Sequence, residues 1–90
     1  MATISIPSPF RKFTAQEPEF QSKATTVNGL LQDLVATYPD IKKNLFTPEG
    51  QLLQFIKVYK GEEDIQEMNG VQTTIGEQDQ LTIIPAIAGG

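Results

Sequence analysis

The chain contains no cysteine and no histidine. The first absence excludes disulfides, thiolate metal sites, iron–sulfur clusters and a catalytic thiol. The second removes the commonest general base and the commonest transition-metal ligand. Together they rule out Ser/His/Asp and Cys/His catalytic sets. A phosphate-binding loop is also missing: the glycines before the last two residues are isolated, and none precedes a Lys-Ser or Lys-Thr pair. Apolar runs are only a few residues long, far short of the roughly 20 that a membrane helix needs. Met1-Ala2-Thr3-Ile4-Ser5-Ile6-Pro7 lacks the charged start and long apolar run of a signal peptide. A cytoplasmic protein without a membrane partner is therefore expected.

A basic stripe is absent too. The net charge is −4, from 11 acidic and 7 basic residues, and only Arg11-Lys12 and Lys42-Lys43 are adjacent cations. Nucleic-acid binding needs clustered cations to neutralise phosphates, so no nucleic-acid partner is expected. An acidic surface suits a partner with a basic face. Ninety residues fit one domain with a thin core and little room for a cleft that encloses a substrate.

What is present reads as alternating strands around one helix. Thr3-Ile4-Ser5-Ile6 has the two-residue period of a half-buried strand, broken by Pro7-Ser8-Pro9. Phe10 to Phe13 reads as a loop or hairpin arm whose aromatics close the core edge. Glu19 to Ala24 is a second, weaker strand, giving an N-terminal hairpin with a long connection. Thr25 and Thr26 are candidate N-caps for a helix whose stripe is Leu30, Leu31, Leu34, Val35 and Tyr38. Gly29 sits inside that helix at some cost, and Pro39 ends it. Asp40 is a candidate cap for a short turn over 41–46, and Thr47-Pro48-Glu49-Gly50 is a turn.

Leu52 to Tyr59 is the strongest strand signal, with Ile56 and Val58 on one face and Leu53, Phe55, Lys57 and Tyr59 on the other. Lys60 to Asp64 is a turn, Ile65 begins a short edge segment, and Met68 to Ile75 is irregular, with Asn69-Gly70 as a turn signal. Gly76 to Gln80 is another polar turn, and Leu81-Thr82-Ile83-Ile84 is the last strand, stopped by Pro85. The order is strand, strand, helix, strand, short segment, strand, which predicts an α+β domain with a mixed sheet packed on one main helix. The predicted core is Ile4, Ile6, Leu30, Leu34, Ile56, Val58, Leu81 and Ile83. Phe55, Tyr59 and Ile84 should then share the opposite, open face.

Two features stand outside that framework. Glu62-Glu63-Asp64 is either a weak divalent-ion or partner contact or a solvated turn, and three adjacent carboxylates form no cage. The ending Ala86-Ile87-Ala88-Gly89-Gly90 has no polar periodicity and no cap. Unburied termini stay mobile, so residues 1–85 are read as the domain and 86–90 as a flexible tail. Extended, residues 85–90 reach on the order of 20 Å, and diglycine carries no Cβ to obstruct a narrow active site.

The segments Phe55-Ile56-Lys57-Val58-Tyr59, Glu63-Asp64-Ile65 and the stretch from Thr74 to Gly90 resemble the prokaryotic ubiquitin-like sulfur carriers. That family includes the molybdopterin-synthase small subunit, the thiamin sulfur carrier and the cysteine-synthesis carrier CysO. The shared pattern is a hydrophobic strand, a turn with acidic residues, a strand, a proline and a terminal Gly-Gly. Ile4-Ser5-Ile6-Pro7 and Thr26-Val27-x-x-Leu30-Leu31 fit it as well, and the Ile83-Ile84-Pro85-Ala86-Ile87-Ala88-Gly89-Gly90 ending is most similar to the CysO-like branch. Two departures stand out: Gln78 replaces a glycine in the turn before the last strand, and Ala86 replaces the second proline common in molybdopterin-synthase subunits.

The resemblance implies a ubiquitin-like β-grasp fold and a carrier that is no enzyme but a covalent substrate of others. A ubiquitin-activating-type adenylating and sulfurtransferase enzyme would use ATP and magnesium to adenylate Gly90, and a sulfur donor would convert it to a thiocarboxylate. The carrier itself would bind no cofactor. Gly89 and Gly90 would enter the active site. Phe55, Tyr59, Ile84, Pro85, Ala86, Ile87 and Ala88 would contact the partner, with Ile87 as an apolar contact in its channel. In the CysO-like branch the acceptor would be a pyridoxal-phosphate cysteine synthase, followed by a releasing peptidase. A molybdopterin or thiamin carrier, a protein modifier joined to lysines through Gly90, and a β-grasp module with an idle tail are the alternatives.

Overall fold

The computed structural model describes residues 1–85. The segment 86–90, which holds the predicted flexible tail and the predicted contacts Ala86, Ile87, Ala88, Gly89 and Gly90, lies outside the described residues. Strands β1 (Ala2–Ser5) and β2 (Glu19–Ser22) form an antiparallel hairpin. Helix α1 (Val27–Thr37) follows, then a short helix α2 (Lys42–Leu45), and then β3 (Ile56–Lys60), β4 (Glu63–Asp64) and β5 (Gln80–Pro85). The sheet runs β2-β1-β5-β3-β4. β5 lies parallel to β1 and antiparallel to β3. The last strand therefore fills the middle of the sheet, between the N-terminal hairpin and β3.

Helix α1 forms where the sequence predicts it. Thr26, in an extended conformation, accepts the Gly29 N–H on Oγ1 at 3.1 Å, so one orphan donor of the first turn is satisfied. The Thr73 carbonyl accepts a second, from Val27 N–H at 3.0 Å. Gly29 is not a gratuitous cost: a Cβ there would stand 3.0 Å from the Ala24 Cβ, so the missing side chain lets the incoming chain pack against the helix. The helix buries Val27, Leu30, Leu31 and Leu34 against the sheet. The Ser22 hydroxyl donates to the Asp33 carboxylate and ties β2 to it.

The predicted core residues Ile4, Ile6, Leu30, Leu34, Ile56, Val58, Leu81 and Ile83 are all buried. Inward residues share register rows, such as Phe20, Ile4 and Leu81 across β2, β1 and β5. The core also takes Ala2, Phe10, Val27, Leu31, Ile41, Leu45, Phe46, Ile65 and Ile75. Phe10, Ile41 and Ile65 come from 3-10 turns and Phe46 and Ile75 from connecting segments, where no periodicity marks the inner face.

Several boundaries differ from the sequence reading. Phe10 to Phe13 is part of a 3-10 helix (Ser8–Phe13) that buries Phe10. β1 stops at Ser5, and Ile6 keeps its pairing through its N–H to the Pro18 carbonyl at 2.8 Å. β2 stops at Ser22, before the predicted Lys23 and Ala24. Asp40 makes no side-chain cap; α2 begins after Ile41. The predicted strand over 52–59 is the largest correction. Leu52 bridges Phe46, the Leu53 N–H is held by the Leu45 carbonyl, and the chain turns through Gln54-Phe55 before β3 starts at Ile56. Leu52 and Leu53 pack beside α2, and the apolar spacing of Leu53 and Phe55, which continues that of Lys57 and Tyr59, only imitates a strand. β3 instead extends to Lys60, which pairs with Glu63 and Leu81.

The turn before β5 explains Gln78. Among the described residues the non-glycine positions with positive φ are Ala15 and Gln16, so Gln78 has no left-handed conformation to support. The Asp79 carboxylate accepts the Gly76 N–H at 2.7 Å and pairs with Lys60 at 3.6 Å, which closes the turn through side chains.

Candidate functional site at the end of the last strand

β5 delivers the chain end to a defined place. Its partners on β3 run Lys60↔Leu81, Tyr59↔Thr82, Val58↔Ile83, Lys57↔Ile84 and Ile56↔Pro85. Val58 and Ile83 point inward and are buried; Ile84, Lys57, Thr82 and Tyr59 therefore occupy the open face. The described chain ends beside the first residue of β3.

Pro85 does not stop β5; it is its last residue. The Asp79 carbonyl accepts from Thr3, and the Gln80 carbonyl from Gly61. Odd-numbered positions of β5 thus direct their backbone groups toward β1 and even-numbered ones toward β3. At Pro85 the β1 side is no longer paired, because the β1 register ends at Ser5↔Thr82. The missing N–H of Pro85 breaks no ladder bond.

Phe55 is 42% and Ile84 41% exposed, and with Met1 they are the exposed large hydrophobic side chains among the described residues. Ile84 holds the sheet face as predicted. Phe55 sits on the turn one residue before β3, rather than on the strand, and so borders the exit of β5 from the end of the sheet. Tyr59 and Pro85 are half-buried. The predicted patch is thus a short apolar rim around the chain exit, with Lys57 directly beside Ile84. Sequence reasoning placed Lys57 on this face but gave it no role; its in-register position next to Ile84 is visible only in the pairing.

The acidic turn does not gather its carboxylates. Asp64 Oδ1 accepts the Gln66 N–H at 2.9 Å and caps a 3-10 turn, while Glu62 and Glu63 are exposed. Among the described residues no three acidic side chains come together as cation ligands, and no helix is long and apolar enough to cross a membrane.

A mixed five-stranded sheet with β5 parallel to β1, one helix across it and the last strand ending at an apolar rim defines a ubiquitin-like β-grasp protein. Residues 4–90 match the ThiS family, and the chain belongs to that family. It is 34% identical to the sulfur carrier protein CysO of Mycobacterium tuberculosis over 90 residues, covering 98% of this chain and 97% of that protein. A chain in the crystal structure of the Amycolatopsis orientalis BexX/CysO complex superposes with a TM-score of 0.90 at 36% identity, with 100% of both chains covered. The small archaeal modifier protein 1 of Methanosarcina acetivorans, at 21% identity, covers 99% of this chain and 95% of that one with a TM-score of 0.85; it shares the fold.

Proposed function

We propose that this protein is a sulfur carrier that works through the carboxylate of Gly90 and serves cysteine biosynthesis. The observation that carries this reading is the near full-length similarity to a sulfur carrier protein in a chain whose sequence ends in Gly89-Gly90. The chain acts as a covalent substrate and leaves catalysis to its partners.

A ubiquitin-activating-type enzyme docks on the rim formed by Phe55, Tyr59, Ile84 and Pro85. Ala86, Ile87 and Ala88 lead into its channel, Ile87 fills an apolar site there, and Gly89 and Gly90 pass where a side chain cannot. A Gly90 carboxylate oxygen attacks the α-phosphorus of ATP bound with magnesium on that enzyme; pyrophosphate leaves and an acyl-adenylate forms. A sulfide-level donor then attacks the acyl carbon, the C–O bond to AMP breaks, and a thiocarboxylate remains. The acceptor is a pyridoxal-phosphate cysteine synthase, and a peptidase frees the product. That a related chain is found in a complex with a second protein, BexX, supports a partnered role.

The test incubates the chain ending at Gly90 with its activating enzyme, ATP, magnesium and a sulfur donor and then weighs it. The expected result is the mass gain of exchanging one oxygen for sulfur. Loss of Gly90, or one residue added after it, should abolish that gain without changing thermal stability. A blocked chain that is still thiolated refutes the mechanism. Isopeptide adducts in place of a thiocarboxylate would identify a protein modifier.

A further inference from the structure

β2 is an edge of the sheet, next to β1 alone. Its backbone orientation follows from one bond: the Pro18 carbonyl accepts from Ile6, on the β1 side. Alternation then turns Phe20 and Ser22 toward β1 and leaves the N–H and C=O groups of Glu19 and Gln21 directed away from the sheet. None of these four groups takes part in the turn, loop and cap bonds of the described residues. They form a template for one more strand.

The ground beside this edge is shaped as well. A groove of about 380 Å³ lies between β2 and the end of α1, lined by Glu17, Pro18, Glu19, Phe20, Gln21 and Tyr38. Phe20 and Tyr38 meet edge to face, with ring centroids 6.2 Å apart. Both ionisable groups of like sign in this lining, Glu17 and Glu19, are carboxylates, and no cation lines it. The turn before β2 is held in place: the Glu17 N–H donates to the Thr14 carbonyl and the buried Thr14 hydroxyl to the Glu17 carbonyl, both at 2.9 Å.

We propose that the β2 edge binds an extended, basic segment of a partner protein by strand addition. Its alternate side chains face the two sides of the sheet. Apolar residues on the helix side lie over Phe20 and Tyr38, and lysine or arginine on the open side meets Glu19. The acidic rim disfavours pairing of two copies through this edge, since Glu19 would approach its own counterpart. One row of the open face runs Glu19, Ser5, Thr82, Tyr59, so an added strand would lie three strand spacings, about 14 Å, from β5.

The probe is the peptide acetyl-Lys-Val-Lys-Val-Lys-amide, titrated at low salt into the 15N-labelled chain without ATP or any enzyme. The Glu19 and Gln21 amide signals should shift most, and their hydrogen exchange should slow. Gln21→Pro removes an outward N–H at a position where edge strands tolerate proline, and should weaken binding about tenfold. The double variant Glu17→Lys, Glu19→Lys keeps the edge and should lose the basic peptide while gaining acetyl-Glu-Val-Glu-Val-Glu-amide. Shifts that map elsewhere, equal binding of the basic peptide by the charge-reversed variant, or dimerisation through β2 in sedimentation overturns the proposal. Thiolation of Gly90 is not measured in this experiment, so neither result bears on the carrier reading.

Discussion

Replacing Ile84 by serine separates docking from folding. Ile84 is 41% exposed, on the open face of β5. Fully burying an isoleucine side chain contributes about 1.5–3 kcal/mol, so the part still in water leaves about 1 kcal/mol for a partner to gain. Phe55, 42% exposed at the same chain exit, leaves a similar amount. Each single change, Ile84→Ser or Phe55→Ser, should lower kcat/KM for adenylation about fivefold, and the double change about thirtyfold, at 1.36 kcal/mol per tenfold. The effect should fall on KM, because this contact is equally present before and during the chemistry. The assay is ATP–pyrophosphate exchange by the activating enzyme at varied carrier concentration, with thermal unfolding measured alongside. Activation of the double variant within twofold of the parent chain, with unfolding unchanged, would refute the assignment of this rim as the docking surface.

Further outcomes follow from the packing. Ile56→Ala removes a side chain that is 3% exposed and should cost about 2–5 kcal/mol in urea unfolding; a cost near zero would contradict the inward facing of β3. Gly29→Ala gains about 1 kcal/mol in an ordinary helix, but here the new Cβ stands 3.0 Å from Ala24 Cβ and 3.3 Å from the capping Thr26 Oγ1; no rise in melting temperature is expected, and the full gain would show the contact to be slack. Ala15 and Gln16 have φ of 55° and 67°, and the Glu17 N–H closes the turn onto Thr14. Ala15→Asn with Gln16→Gly should therefore stabilise by about 1–2 kcal/mol, and an unchanged midpoint in denaturant would mean that the turn is not strained.

The sequence by itself determined what depends on neighbours along the chain. The Thr26 cap, the Leu30, Leu31, Leu34 stripe and the alternation at Ile4, Leu81 and Ile83 are local signals, and capping and side-chain periodicity act over a few residues. The missing cysteine and histidine, the Gly89-Gly90 ending and the family pattern over Thr74 to Gly90 were equally readable there. Only the tertiary structure decided what lies beside what. Nothing near Leu81 in the chain says that β5 runs parallel to β1 in the middle of the sheet, or that Thr73 supplies a carbonyl to the first turn of α1. Leu53 and Phe55 are spaced like strand residues, yet Leu52 and Leu53 pack beside α2, and this moved Phe55 from the sheet face to the turn at the chain exit. Apolar alternation records that a side chain is buried, not against which surface, and that surface is set by parts of the chain tens of residues away.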